Sequence, residues 1–150
     1  MIGLVPGDYC LRHFFEVTYG LLMTGLVRFE ELKVWQKARR LAAEIYRMTE
    51  VGPMSRDFGL KNQSRRAAVS VMCNIAEGFE SNGIRLFLRY LRIAKASLAE
   101  LRSQLYVALD AELLQAAAHQ QLLMRVDELG RMLGGLIRSL DRKTRQGRAV

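Results

Sequence analysis

From Phe29 onward the apolar residues of this chain recur at intervals of three and four, and four separate runs of that pattern divide it. Phe29, Leu32, Trp35, Ala38, Leu41, Ala42, Ile45 and Tyr46 predict a first helix from Phe29 to Thr49. Gly52-Pro53 stops it, because proline has no amide to continue the hydrogen-bond ladder. A second helix, from Asp57 to Phe79, has a face of small apolar residues: Ala67, Ala68, Val71, Met72, Ile75, Ala76 and Phe79. Ser81-Asn82-Gly83 reads as a tight turn. The third helix runs from Ile84 to Asp110 on Phe87, Leu88, Leu91, Ala94, Leu98, Leu101, Leu105 and Ala108. The fourth, from Ala117 to Asp141, carries Leu122, Val126, Leu129, Leu133, Leu136, Ile137 and Leu140 in a near-heptad. Residues 111–116 read equally as a connection or as helix.

Four helices with short links favour an all-α, antiparallel up-down-up-down four-helix bundle, with neighbours crossing at about 20°. Composition agrees: half of the 150 residues are apolar and only two are proline. That length suffices for one domain with a core. Residues 29–141 form the expected bundle, residues 1–28 an N-terminal extension without a sustained helical period, and residues 142–150 a flexible basic tail. The extension is either native sequence that packs on the bundle or on a neighbouring subunit, or the product of a start upstream of a native one near Met23.

The second helix also carries a polar stripe. Gln63, Arg66, Ser70, Asn74 and Glu77 follow one another at helical spacing, and Ser97, Glu100 and Gln104 make a similar line on the third helix. A solvated face favours Lys and Glu; this mixture of amides, hydroxyls, an arginine and carboxylates suits a hydrogen-bonded seam. A carboxylate inside a bundle needs a partner, so Arg66, Asn74 and Glu100 are expected in one network that sets helix register or a subunit contact. An acid/base site at Glu77 and Glu100 is the chemical alternative, but no nucleophile or adjacent histidine accompanies them. The Glu-x-x-His pairs of di-iron bundles are absent. No catalytic residue, metal site or cofactor is therefore expected. Trp35 is expected in the core or as an interface anchor. Val69, Cys73, Tyr90 and Ile93 fall off the main stripes without being solvent types, which predicts association of the chain with itself.

The net charge of +8 permits binding to nucleic acid or an acidic membrane. Arg142, Lys143, Arg145 and Arg148 place much of it in the tail, and Arg85, Arg89 and Arg92 put three cations on one face of the third helix. With Lys33, Lys37, Arg39, Arg40, Lys61, Arg65, Arg131 and Arg138 these are the candidate phosphate contacts. No recognised DNA- or RNA-reading motif accompanies them, so any binding would be salt-sensitive and weakly sequence-specific. Two cysteines, Cys10 and Cys73, make no disulfide framework, and the most apolar run, Tyr19 to Val27, is too short to span a bilayer. A cytoplasmic protein with no membrane partner is expected.

Several segments carry a resemblance. FEELKVWQKA at Phe29–Ala38, FGLKNQSRRAAVS at Phe58–Ser70, NIAEG at Asn74–Gly78 and SLAELRSQL at Ser97–Leu105 together resemble the bacterial four-helix-bundle family of proteins encoded in intervening sequences of large-subunit ribosomal RNA genes. They are also similar to the accessory variability determinant of diversity-generating retroelements. The resemblance implies a bundle assembled as a homo-oligomer, most often a pentamer, without an established enzyme activity. It implies RNA or DNA as a partner, with a reverse transcriptase or ribosomal component as a further one. A protein-assembly scaffold with no nucleic-acid binding is the competing reading. The turn after Gly78, Phe79-Glu80-Ser81-Asn82-Gly83, lacks the basic residues that family members carry there, so the resemblance does not extend nucleic-acid contact to that loop.

Overall fold

The computed structural model describes residues 28–81 and 83–146. Among them are four α-helices and no strand: α1 (Lys33–Glu50), α2 (Phe58–Glu80), α3 (Ile84–Asp110) and α4 (Ala116–Gln146). This is an all-α chain consistent with a four-helix bundle. Residues 1–27, with Cys10 and the questions about the N-terminal extension, lie outside the described residues, as do Asn82 and Arg148.

The first helix begins later than its apolar spacing predicts. Phe29–Glu31 is a single 3-10 turn, and Leu32 is extended (φ −65°, ψ 116°). The Gln36 side-chain amide donates to the Glu30 carbonyl at 2.8 Å, fixing the turn against α1. Phe29 keeps a hydrophobic role from outside the helix, meeting Trp35 edge-on with ring centroids 5.1 Å apart. α1 buries Val34, Trp35, Ala38, Leu41, Ala42, Ile45 and Thr49. Tyr46, expected on that stripe, is 44% exposed. It lies at the edge of the apolar arc, where its ring lies beneath the Arg65 guanidinium.

Gly52 (φ +65°) turns the chain out of α1 into a second 3-10 turn, Pro53–Ser55, which tucks Met54 into the core. Asp57 then caps α2 by accepting from the Leu60 amide at 2.9 Å. The buried face of α2 is built of small residues: Ser64, Ala67, Ala68, Val71, Ile75 and Gly78. Small side chains let α3 come close. A Cβ at Gly78 would fall 2.7 Å from the Tyr90 Cβ and 2.9 Å from a Phe87 ring carbon, so only glycine fits the crossing.

α3 buries the widest face, from Phe87 to Ala108, and packs against both α2 and α4. Residues 111–115 form an ordered connection, in which the Ala108 carbonyl accepts from the Leu113 and Leu114 amides at 2.8 and 3.0 Å. α4 contributes Leu122, Val126, Leu129, Leu133 and Leu140 to the core and also touches α1.

The described part of the expected basic tail is helical. Residues 142–146 continue α4, and the Thr144 hydroxyl donates to the Leu140 carbonyl at 2.9 Å. Lys143 and Arg145 in the last turn face the negative end of the helix dipole, which favours that extension. No helix among the described residues is long and apolar enough to cross a membrane.

Candidate nucleic-acid interface

The predicted polar stripes separate into a buried part and an exposed part. Ser70, Asn74 and Ser97 come together across the α2–α3 seam. Asn74 donates to the Ser70 hydroxyl and carbonyl at 3.1 and 2.8 Å, and the Ser70 and Ser97 hydroxyls lie 2.9 Å apart. The Ser97 hydroxyl reaches the Ile93 carbonyl at 3.1 Å. With that proton committed, Ser70 is the donor to Ser97, and the bonds form one directed chain from Asn74 to the α3 backbone.

The remaining stripe residues do not join this chain. Gln63, Arg66, Glu77 and Glu100 are exposed. Glu100 accepts from the Gln104 amide at 3.1 Å, within α3. The expected Arg66–Asn74–Glu100 network is thus not formed within one chain. Arg66 and Glu100 stand on the solvent flanks of their helices, where neither requires a buried partner. Gln104 is buried, and its side-chain carbonyl has no partner among the described residues. Cys73 is half-buried with a free thiol.

The candidate cations divide in the same way. Arg65 is largely buried and fully engaged between α1 and α2. Its Nε donates to the Thr49 hydroxyl at 2.7 Å, and its Nη2 reaches Glu50 at 2.7 Å and the Tyr46 carbonyl at 3.3 Å. The guanidinium also lies 4.6 Å from the centre of the Tyr46 ring. Lys61 adds a second contact to Glu50 at 3.1 Å. The hydrogen bonds from Arg65, then Lys61, and their charges hold the Glu50 carboxyl below the usual carboxylate range. Arg65 is therefore a structural clamp and not a free phosphate contact. Thr49, its buried anchor, carries no sequence signal beyond a hydroxyl at the end of an apolar stripe.

On α3, Arg85 and Arg89 are exposed and make no ion pair among the described residues. Arg92 is engaged with both oxygens of Asp141 at 2.9 Å, which shortens the expected row of three to two. Arg142, Lys143 and Arg145 are exposed on the last turns of α4.

Four further pairs tie α4 to its neighbours or hold the entry turn. Lys37 meets Glu128 at 2.6 Å, Arg125 meets Glu44, Arg102 meets Asp127 at 2.9 Å, and Arg28 meets Glu30 at 2.8 Å. The hydrogen bond from Lys37 lowers the Glu128 carboxyl's pKa, and that from Arg28 does the same for Glu30.

Trp35 is buried against Phe29, with the Arg39 guanidinium 5.8 Å from its ring and its indole N–H unpartnered among the described residues. Among the described residues no group of three or more His, Cys, Asp or Glu is placed to hold a metal ion.

A groove lies between α3 and α4 that sequence spacing did not single out. Its floor is Leu98, Ala99, Val126, Gly130 and Gly134, and its rims carry Lys95, Arg102, Arg131, Arg138 and one carboxylate, Asp127. The only advance signal was the pairing of glycines four residues apart on a leucine-rich helix with cations beside them. Lys95 and Arg102 were not among the expected contacts.

No curated protein matches the chain. A crystal structure of a protein of unknown function from the S23 ribosomal protein family of Bacteroides thetaiotaomicron is similar in fold. It aligns over 69% of this chain and 97% of its own, with a TM-score of 0.64 and 20% sequence identity. The family model described as 23S rRNA-intervening sequence protein matches residues 30–135, most of the folded chain, and the protein belongs to that family.

Proposed function

We propose that the protein is a non-enzymatic, homo-oligomeric binder of RNA, acting in the cytoplasm through phosphate contacts. The observation that carries this reading is a set of exposed cations, without an ion-pair partner among the described residues, on a chain of net charge +8 whose family is linked to ribosomal RNA genes. Arg85 and Arg89 on α3 and Arg142, Lys143 and Arg145 on α4 are the contacts proposed. Exposed arginines without carboxylate partners gain most from phosphate, because guanidinium forks match its oxygens.

The architecture proposed is an antiparallel up-down-up-down bundle. Cross-helix pairs support it: Lys37 with Glu128 and Glu44 with Arg125 between α1 and α4, and Arg92 with Asp141 and Arg102 with Asp127 between α3 and α4. In each case the later residue on one helix meets the earlier residue on the other.

Self-association rests on a second stripe along α3. Leu86, Ile93, Glu100 and Val107 recur every seven residues, one exposed line along the helix. Leu86, Ile93 and Val107 on it are 43%, 40% and 53% exposed. In this reading Arg66, Glu77 and Glu100 meet a neighbouring subunit at the edge of that stripe. A pentamer is the proposed state, and a reverse transcriptase or ribosomal component the proposed protein partner.

Light scattering behind size exclusion, with and without a structured RNA at low and high salt, tests the reading. An oligomer that shifts with RNA only at low salt is expected. An oligomer indifferent to RNA at every salt concentration would replace it with a protein-assembly scaffold.

A further inference from the structure

The α3–α4 groove deepens that reading and rests on it. Its volume is about 520 Å3, within the range of sites that hold nucleotide-sized groups. It is cationic on both rims. Arg102 is neutralised by Asp127, but Lys95, Arg131 and Arg138 take part in no ion pair among the described residues.

Two of these charges converge. The Arg138 Nη1 lies 3.3 Å, and the Lys95 Nζ 3.9 Å, from the point a Cβ of Gly134 would occupy. Like charges approach a common point at an electrostatic cost unless an anion sits there. The candidate carboxylates on adjacent turns are already engaged, Asp141 by Arg92, Asp127 by Arg102 and Glu128 by Lys37. The glycine floor lets the two cationic ends lie close to the helix backbone, and both side chains are long enough to swing aside for an anion.

The groove is also longer than one anion. Lys95 and Arg102 are seven residues apart on α3, and Arg131 and Arg138 are seven apart on α4. Seven residues of helix span about 10 Å, too far for a single phosphate group to bridge and within the reach of a short phosphodiester chain. We infer that this groove is the RNA-backbone track of the protein, with Lys95 and Arg138 clamping one phosphate over Gly134 and Arg131 meeting another.

The track is tested by titrating a fluorescein-labelled RNA hairpin, over a range of salt, into the full chain and three variants. Lys95→Gln with Arg138→Gln removes the clamp. Gly134→Gln fills the floor without changing the charge. Arg85→Gln with Arg89→Gln removes the same charge outside the groove.

The clamp variant is expected to bind about tenfold more weakly, with a salt slope shallower by about 0.8, as the loss of one phosphate contact dictates. The floor variant is expected to weaken binding at unchanged net charge. Normal binding by both groove variants, with loss only in the Arg85 and Arg89 variant, would overturn the track while leaving RNA binding intact. Loss in the clamp variant without loss in the floor variant would reduce the groove to a general charge effect and overturn it. An unmodified chain that ignores the hairpin at low salt would overturn both the track and the function beneath it. Groove variants that bind the hairpin normally but lose a polyglutamate peptide would reassign the groove to an acidic protein segment. Thermal melting accompanies each titration, and if the clamp variant melts early, Arg138→Gln alone, on the exposed face of α4, carries the same test.

Discussion

The α2–α3 seam and the α3–α4 seam both have glycine at the crossing, and they use it in opposite ways. At Gly78 the missing side chain lets two helices touch, with Tyr90 and Phe87 occupying the space a Cβ would take. At Gly134 the place of the missing side chain is taken by the far ends of two flexible side chains, Arg138 and Lys95. Gly135, next to it, has nothing within 4 Å of a Cβ position. One seam is closed by glycine and sealed with uncharged hydroxyls. At the other, glycine makes room for flexible charged ends. Burial at a helix crossing therefore does not define a glycine's role; the identity and mobility of the facing atoms do.

Substitutions can break this contrast. Gly78→Val should produce the largest effect, a loss of about 3 kcal/mol in urea unfolding, because the clash is with a Cβ and a ring that have no room to move. A stable Gly78→Val chain would mean the seam can open, and the distinction would fail. Ser97→Ala should cost about 1 kcal/mol, since it removes a hydroxyl bonded to both Ser70 and the Ile93 carbonyl. Gly134→Ala should raise the stability measured in urea unfolding by about 0.5 kcal/mol, because a helical glycine is replaced where the nearest obstacle can swing aside. A fall in stability there would make the two glycines equivalent.

The smallest effect sharpens the comparison among cations. Lys61 and Arg65 are held by Glu50, whereas Lys95 and Arg138 are not held by any carboxylate of the described chain. The folded-state pKa of Glu50 is lowered, so its contribution is present above the unfolded carboxylate value and lost as pH falls through the folded one. Thermal melting of the unmodified chain and Glu50→Gln should differ slightly at neutral pH and converge on acidification. A difference that persists in acid would place the effect elsewhere than in the ion pair.

Much of this architecture was legible because helix signals are local. α3 has its expected bounds, set by Gly83 at one end and the loss of apolar periodicity at Asp110. α1 was misread at its start because Phe29 has helical spacing to Leu32 while packing from a 3-10 turn. Residues 142–146 differ from the expectation because composition reports too little apolar content to pack, whereas α4 needs only its backbone ladder and dipole to reach Gln146. The site was less legible. Periodicity places Ser70, Asn74, Arg66 and Glu77 on one flank of α2, but a flank is half seam and half surface, and only the approach of α3 divides it. Arg65 and Arg66 are adjacent in sequence and opposite in fate. Arg65 faces Thr49 and Glu50 of α1, and that pairing depends on how α1 and α2 dock.

The link between α2 and α3 has its own consequence for the order of events in folding. Ser81 to Gly83 is the shortest connection between the helices, and the Gly78 contact lies within a dozen residues of its partners Phe87 and Tyr90. Closing so small a loop loses little chain entropy, so these two helices are expected to meet before α4 arrives from beyond Asp110. Substitutions at Gly78 should then slow the refolding rate, while those at Gly134 should act on the rate of unfolding. The groove between α3 and α4 would be the last feature of the molecule to take shape.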